Sequence, residues 1–154
     1  MELPAKGVNR PDPAAFGRGL AEGLGVNLLV RDVEAAARFQ ARAFAAQVVY
    51  FDDDFAILRG SGAEWMLHSD RSYRNNALIG IVRGSDDAGG VRGAGCELRL
   101  YGSDPDAVVA RAKAMIAEGA QAVVLAEAMD KPHGQREAAI VDPEGYVWVP
   151  GRPI

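Results

Sequence analysis

The sequence predicts an α+β fold: two βαβββ modules forming a curled mixed sheet around a cavity, with the helices on the outer face. Three observations predict it. The same order of strand-like and helix-like segments is spelled twice along the chain. Each copy opens its helix with an aspartate suited to accept the unpaired N–H groups of the first turn, Asp32 and Asp104, about 72 residues apart. After each helix the chain resumes in similar letters, AAQVVYF in the first copy and GAQAVVL in the second. Neither module buries enough apolar surface alone, so the two are expected to share one core. The competing reading is a single ferredoxin-like α+β domain with chance self-similarity.

The elements follow in order. Residues 1–24 hold three of the eight prolines and read as an N-terminal arm with at most a short helix near Phe16–Leu20. A single domain follows at 25–150: module one at about 25–68, a connecting segment at 69–94, and module two at about 95–150; residues 151–154 read as a tail. In GVNLLV (25–30) the alternation of Val26, Leu28 and Val30 with Asn27 and Leu29 is a strand pattern. Asp32 caps a helix over Val33–Phe44, with Val33, Ala36, Ala37 and Phe44 along one stripe. Strands are expected at 47–51, 55–59 and 63–68, separated by the turns Asp52-Asp53-Asp54 and Gly60-Ser61-Gly62.

The connecting segment carries one apolar patch, Leu78–Val82, and the Gly-rich GSDDAGGVRGAG; a stretch this long is either functional or a linker. Module two starts with the strand CELRLYG (96–102), and Asp104 with Pro105 then opens a helix running to about Glu118. Gly119 is placed to end that helix at positive φ. Strands are expected at 121–127, 137–141 and 146–150. In Asp142–Gly145, Pro143 fixes φ and Gly145 takes the positive φ that ends the turn, which is a structural role.

Composition excludes several classes of partner. The net charge is -4, with no run of Lys or Arg, so no nucleic-acid footprint is present. The one cysteine, Cys96, cannot form an internal disulfide, which fits a reducing compartment. The first residues contain no apolar core of a secretory signal, and nothing approaches the roughly 18 apolar residues of a membrane span. A cytoplasmic protein with neither nucleic-acid nor membrane partners is expected.

The doubled βαβββ order, the helix start Val30-Arg31-Asp32-Val33 and the DPEGY turn (142–146) together resemble the vicinal oxygen chelate superfamily. That group includes glyoxalase I, the extradiol dioxygenases, and the bleomycin and fosfomycin resistance proteins. HGQREAAIVDPEGY (133–146) is similar to the "WGQRE…DPDG" segment of the glyoxalase/bleomycin-resistance branch, with His133 where Trp is common. The resemblance covers residues 25–150. It implies two modules curled around a central cavity, often completed by a dimer partner. It also implies a divalent cation held by His, Glu or Gln from four strands, with open positions for substrate oxygens.

Carried over position by position, those ligand sites fall on Gly25, near Met66 (with Glu64 and His68 two residues either side), on Glu97, and on Val149. Gly25 and Val149 have nothing to offer a metal, and a bound ion wants at least three protein ligands. His68 and Glu97 remain as candidate ligands, and no cofactor is expected. A one-residue slip would replace Glu97 with Cys96 and flip that strand, but Glu97 leaves Leu98 and Leu100 facing the helix. The cavity so read is lined by Asn27, Leu29, Glu64, Met66, His68, Glu97, Arg99, Tyr101, Val147 and Val149, an apolar floor with a few polar groups. Tyr50, Phe51 and Phe55 are placed to rim it, while Trp65 and Trp148 fall on the opposite parity.

Three functions fit this set. One is a protein that binds a small organic molecule in the cavity without the metal site. Another is a metal-dependent lyase, isomerase or dioxygenase with a shifted ligand set. The last is a metal-free enzyme using Glu97 or Glu64 as base and Arg99 as oxyanion stabiliser. A homodimer is expected, because a curled sheet in so short a chain leaves edges and an open cavity.

Overall fold

The computed structural model describes residues 2–20, 22–86 and 92–154, so part of the Gly-rich stretch expected at 84–95 lies outside the described residues. Module one consists of β1 (Asn27–Val30), α2 (Val33–Phe44), β2 (Gln47–Phe51), β3 (Phe55–Gly60) and β4 (Ala63–Ser69), preceded by the arm with its helix α1 (Pro13–Gly19). A 3-10 turn (Asp70–Tyr73) and α3 (Leu78–Asp86) follow. Module two consists of β5 (Glu97–Tyr101), α4 (Pro105–Ala117), β6 (Val123–Asp130), β7 (Gln135–Val141) and β8 (Val147–Pro153).

The capping chemistry places both main helices. Asp32 accepts from the N–H of Ala35 at 2.9 Å, and Asp104 accepts from the N–H of Asp106 at 3.1 Å with Pro105 in the first turn. Gly119 follows α4 at φ 103°. The expected strand boundaries hold to within a few residues. β8 runs past its expected end: Gly151, Arg152 and Pro153, read from the sequence as a tail, pair with β7.

Each module forms its own mixed sheet, in the orders β1-β4-β3-β2 and β5-β8-β7-β6, with the β1–β4 and β5–β8 pairs parallel. The curled sheet is thus split in two at a seam. Side chains of the connecting segment and of module two, rather than a strand ladder, close that seam along β1. The carbonyl of Leu29 accepts from Arg92 Nη1 at 3.0 Å and from Tyr146 Oη at 2.9 Å. The N–H of Arg31 donates to Glu144 Oε2 at 3.0 Å. Arg92 also makes a bidentate pair with Asp70, at 2.8 and 2.5 Å, with its own side chain only 1% exposed. The chain reaches this position through Gly93, where an added Cβ would stand 2.7 Å from the Tyr146 ring at a φ of 68°.

One core serves both modules. Leu28, Val30, Leu58, Trp65 and Leu67 of module one and Leu100, Ile140 and Trp148 of module two lie in it together with Phe39 and Phe44 of α2 and Val108 and Ala112 of α4. Trp148 joins them: its ring centroid lies 4.9 Å from that of Phe44 and 5.4 Å from that of Trp65. Both tryptophans carry a polar N–H into this core, and each is satisfied, Trp65 by Gln40 Oε1 at 2.8 Å and Trp148 by Asp142 Oδ2 at 2.9 Å. The turn carboxylate of Asp142 also accepts the N–H groups of Glu144 and Tyr146, both at 3.0 Å. The DPEG turn therefore does more than set the register of β8: Asp142 holds the central tryptophan, and Glu144 holds module one.

Candidate functional site

With one face of each sheet committed to the helices, the other face is open. In module one the open face comprises Asn27 and Leu29 of β1, Met66 and His68 of β4, and Phe55 and Ile57 of β3; in register, His68 lies beside both Leu29 and Phe55. A bulge between Val48 and Tyr50 brings Tyr50 to the same face and leaves Phe51 in the core.

The arm lies over this face. The N–H of Gly7 donates to the carbonyl of Phe51 at 2.8 Å. Lys6 pairs with Asp53 and, at 3.7 Å, with Glu34, while Arg10 stands 3.9 Å from Asp52. Asp12 caps α1 by accepting from the N–H of Ala15 at 2.7 Å, and Pro13 starts the helix. This aims Phe16 at the sheet, where its ring meets Phe55 edge-on at 5.9 Å. Between arm and sheet remains a cavity of about 440 Å³, lined by Arg10, Pro11, Pro13, Phe16 and Leu20 from the arm, by Asp54, Phe55, Met66 and His68 from module one, and by Ser72 from the 3-10 turn.

The polar rim of this cavity is organised by the acidic turn. Asp52 accepts from Tyr50 Oη at 2.6 Å and from the N–H groups of Asp54 and Phe55, both at 2.8 Å. Burial works against the charge of Asp52, but these bonds hold its carboxyl below the usual range. Burial and the neighbouring Asp52 push the Tyr50 hydroxyl up to about 12. Asp54 accepts from Ser69 Oγ at 2.7 Å and from Arg71 Nη2 at 2.8 Å, and these bonds likewise lower its pKa. The His68 ring is held between Phe55 at 4.8 Å and Tyr73 at 5.0 Å. Its burial lowers its pKa, while Asp52 and Asp54 push the other way, so the imidazole is neutral at pH 7.

The residues expected from the sequence to line one cavity divide. Met66 and His68 line the cavity under the arm. The side-chain amide of Asn27 donates to Tyr73 Oη at 2.6 Å. Glu64, Glu97 and Arg99 line a separate groove of about 310 Å³ between β4 and β5, together with Leu24 and Cys96. Tyr101, Val147 and Val149 line neither. The parity expected for β5 is the one observed, with Glu97 beside Val147 and Arg99 beside Val149.

At the four positions carried over from the resemblance, the donor set does not fit a divalent cation. Gly25, Met66 and Val149 offer no hard ligand. Glu97 is paired with Arg99 at 2.9 Å, and nearby Glu64 with Arg59 at 2.6 Å. Among the described residues, no three His, Cys, Asp or Glu side chains are grouped to hold a metal.

Sequence reasoning missed two sets of residues. The arm side chains Arg10, Phe16 and Leu20 were not assigned to the cavity, although the Asp12-Pro13 pair marks a helix start and Phe16 is the one aromatic residue of the arm. On the open face of module two, Glu137 is 6% exposed and bonded to Arg99 Nη2 and, at 3.0 Å, to His133 Nε2. The His133 hydrogen bond and the Arg99 charge lower the pKa of Glu137. Only the alternation of β7 signalled this residue.

Neither a protein-family profile nor a curated protein sequence matches the chain. Solved structures do match it. A glyoxalase/bleomycin resistance protein/dioxygenase family enzyme from Burkholderia phytofirmans PsJN aligns at 20% identity over 84% of this chain and 96% of that one, with a TM-score of 0.62. TioX from Micromonospora sp. ML1 aligns at 22% identity over 86% and 97%, with a TM-score of 0.59. Lactoylglutathione lyase from Agrobacterium tumefaciens aligns at 18% identity over 86% and 93%, with a TM-score of 0.56. The two-module βαβββ fold of the glyoxalase/bleomycin resistance/dioxygenase proteins, expected from the resemblance in the sequence, is the fold of this chain.

Proposed function

We propose that this protein binds a small, largely apolar organic molecule in the cavity between its N-terminal arm and the open face of module one, with no divalent cation at the positions used elsewhere in the fold. The observation that carries the reading is the cavity itself. It lies within the roughly 300–1,000 Å³ range of small-molecule sites. Phe16, Leu20, Phe55 and Met66 give it apolar walls, and its few polar groups sit on one rim.

The test is direct. Nile red, an uncharged apolar dye, should bind with one-to-one stoichiometry by fluorescence titration. Phe16→Asp, which puts a charge on the arm wall, should abolish binding. Elemental analysis should find no stoichiometric metal, and EDTA should leave the Tm unchanged. Tight Zn, Ni, Fe or Mn, or dye binding indifferent to Phe16, would sink the proposal.

We propose further that two copies pair through the open face of module two. Tyr101, Val123, Leu125 and Met129 are 50–61% exposed there, an apolar face of the kind that marks an interface. Light scattering should give a dimer, and Leu125→Asp should give a monomer of unchanged stability. A wild-type monomer at micromolar concentration would refute the pairing. Among the described residues, no helix is long and apolar enough to cross a membrane.

A further inference from the structure

His68 presents a hydrogen-bond acceptor to the cavity under the arm. Ser72 has one hydroxyl proton, and it is donated to the carbonyl of Ser69 at 2.8 Å. Toward Nδ1 of His68, at 3.4 Å, Ser72 Oγ can then offer only a lone pair. A neutral imidazole facing a lone pair through Nδ1 carries its proton there, which leaves Nε2 bare. No hydrogen bond among the described residues reaches Nε2. The ring is not free to turn away, because Phe55 and Tyr73 hold it from two sides, at 4.8 and 5.0 Å.

The other polar groups of the cavity narrow the choice further. Asp54 is ion-paired with Arg71 through Oδ1, which also accepts from Ser69, so its charge is compensated although its Oδ2 keeps acceptor capacity; Asp52 behind it is occupied by Tyr50 and two backbone N–H groups. Arg10, at the rim, makes only a 3.9 Å contact with Asp52 and keeps donors to spare. The unused capacity is therefore the neutral acceptor Nε2 of His68, the second oxygen of the Arg71-paired Asp54, and the donors of Arg10. A hydroxyl suits His68 and Arg10 together, since it donates to Nε2 and accepts from the guanidinium, whereas a cationic ligand would find Asp54 already paired with Arg71. The walls, two phenylalanines with Met66 and Leu20, suit an aromatic body.

We infer that the ligand of this cavity is an aromatic hydroxyl compound, a phenol or naphthol, whose O–H donates to Nε2 of His68. The inference rests on the cavity being the binding site, and it adds the chemical class of the occupant.

Three probes with one ring system test it: 2-naphthol, its methyl ether 2-methoxynaphthalene, and 2-naphthoate, each titrated by fluorescence at pH 8. The naphthol and the ether share an aromatic body and differ in the donor. A hydrogen bond in a buried site contributes about a three- to tenfold gain in affinity, and that is the preference expected for the naphthol. His68→Phe should remove the preference and leave the ether's affinity within about twofold. His68→Gln, whose amide oxygen also accepts, should retain part of it and guards against reading a folding defect as lost recognition. Lowering the pH should erode the preference as Nε2 takes a proton. The charges facing the ring are Asp52 and Asp54 from the acidic turn and Arg10 from the arm, and Tyr73 faces it from the 3-10 turn.

Equal binding of naphthol and ether, or a preference that survives His68→Phe, overturns the inference and leaves the cavity reading standing. Tighter binding of the naphthoate also overturns it, because Arg10 rather than His68 would then set the class. If none of the three binds, the cavity reading falls and this inference with it.

Discussion

The two modules share an element order and a capping scheme, yet they treat their open faces in opposite ways. Module one is roofed by the arm, with Phe16 against Phe55 and a cavity left beneath. Module two is bare, with Tyr101 and Leu125 each 61% exposed. The turns before the last strands differ too. Gly60-Ser61-Gly62 in module one only reverses the chain. Asp142–Gly145 in module two sends one carboxylate to Trp148 and another to Arg31. What repeats is what the fold needs: two capped helices, two sheets and one core. What does not repeat is what the candidate site needs: an arm, an acidic turn and the 3-10 turn after β4. Function in this chain is expected where the internal symmetry breaks.

The largest effect should come from the place where the modules are most alike, the core they share. Trp148→Ala removes a fully buried ring that touches both Phe44 of module one and the sheet of module two. A loss of about 3–5 kcal/mol is expected from urea unfolding. Both modules should unfold in a single transition, and two resolved transitions would break the picture of one core.

The next effect tests the seam. Arg92→Met leaves Asp70 without its partner and the carbonyl of Leu29 with Tyr146 Oη alone. Removing one member of a fully buried pair costs roughly 3–5 kcal/mol; Asp70 keeps a 21% exposed side chain, so about 2–3 kcal/mol is expected. The double variant Arg92→Met, Asp70→Leu should recover part of this loss. Additive losses would mean that the two charges do not interact.

A smaller change separates the covered face from the bare one. Phe16→Ala removes an edge-on ring pair of the kind worth about 0.5–1.5 kcal/mol, so stability should fall by that order while Nile red affinity drops at least about tenfold. A stability loss with unchanged dye binding would make the arm a structural strap rather than a wall of the site.

These contrasts also explain what could be read from the sequence. The modules were legible because strand alternation and aspartate caps are local signals, and because they occur twice. Strand parity was legible for the same reason: Glu97, Met66 and His68 face away from the helices because their neighbours Leu98, Trp65 and Leu67 are apolar and must be buried. The seam was not legible. It depends on Arg92, Glu144 and Tyr146 meeting the edge of β1 across more than sixty residues of chain, and nothing local marks them. The division of the site was hidden as well, because the arm's landing place is a tertiary choice. Lys6, Gly7 and Arg10 select it by meeting β2 and the acidic turn.

The smallest effect is electrostatic, and it belongs to module one alone. His68 has a pKa below the ordinary 6.5, because burial among Phe55, Tyr73 and Met66 disfavours the imidazolium more than Asp52 and Asp54 favour it. As pH falls through 6.5, the unfolded chain binds this proton first. The unfolded state then holds more protons than the folded one, so stability rises with pH across the window from the folded pKa up to 6.5. Above that window the two states are equally deprotonated and the dependence vanishes. His68→Gln removes this titration and leaves the carboxylates in place. Urea midpoints at pH 5 and pH 8 should therefore differ less in His68→Gln than in wild type, with the wild type losing more on the acid side. Equal differences in the two proteins would mean that the ring titrates as it does in water. The cavity beneath the arm would then be wetter than its apolar walls imply, and a neutral, fixed acceptor at Nε2 would lose its physical basis.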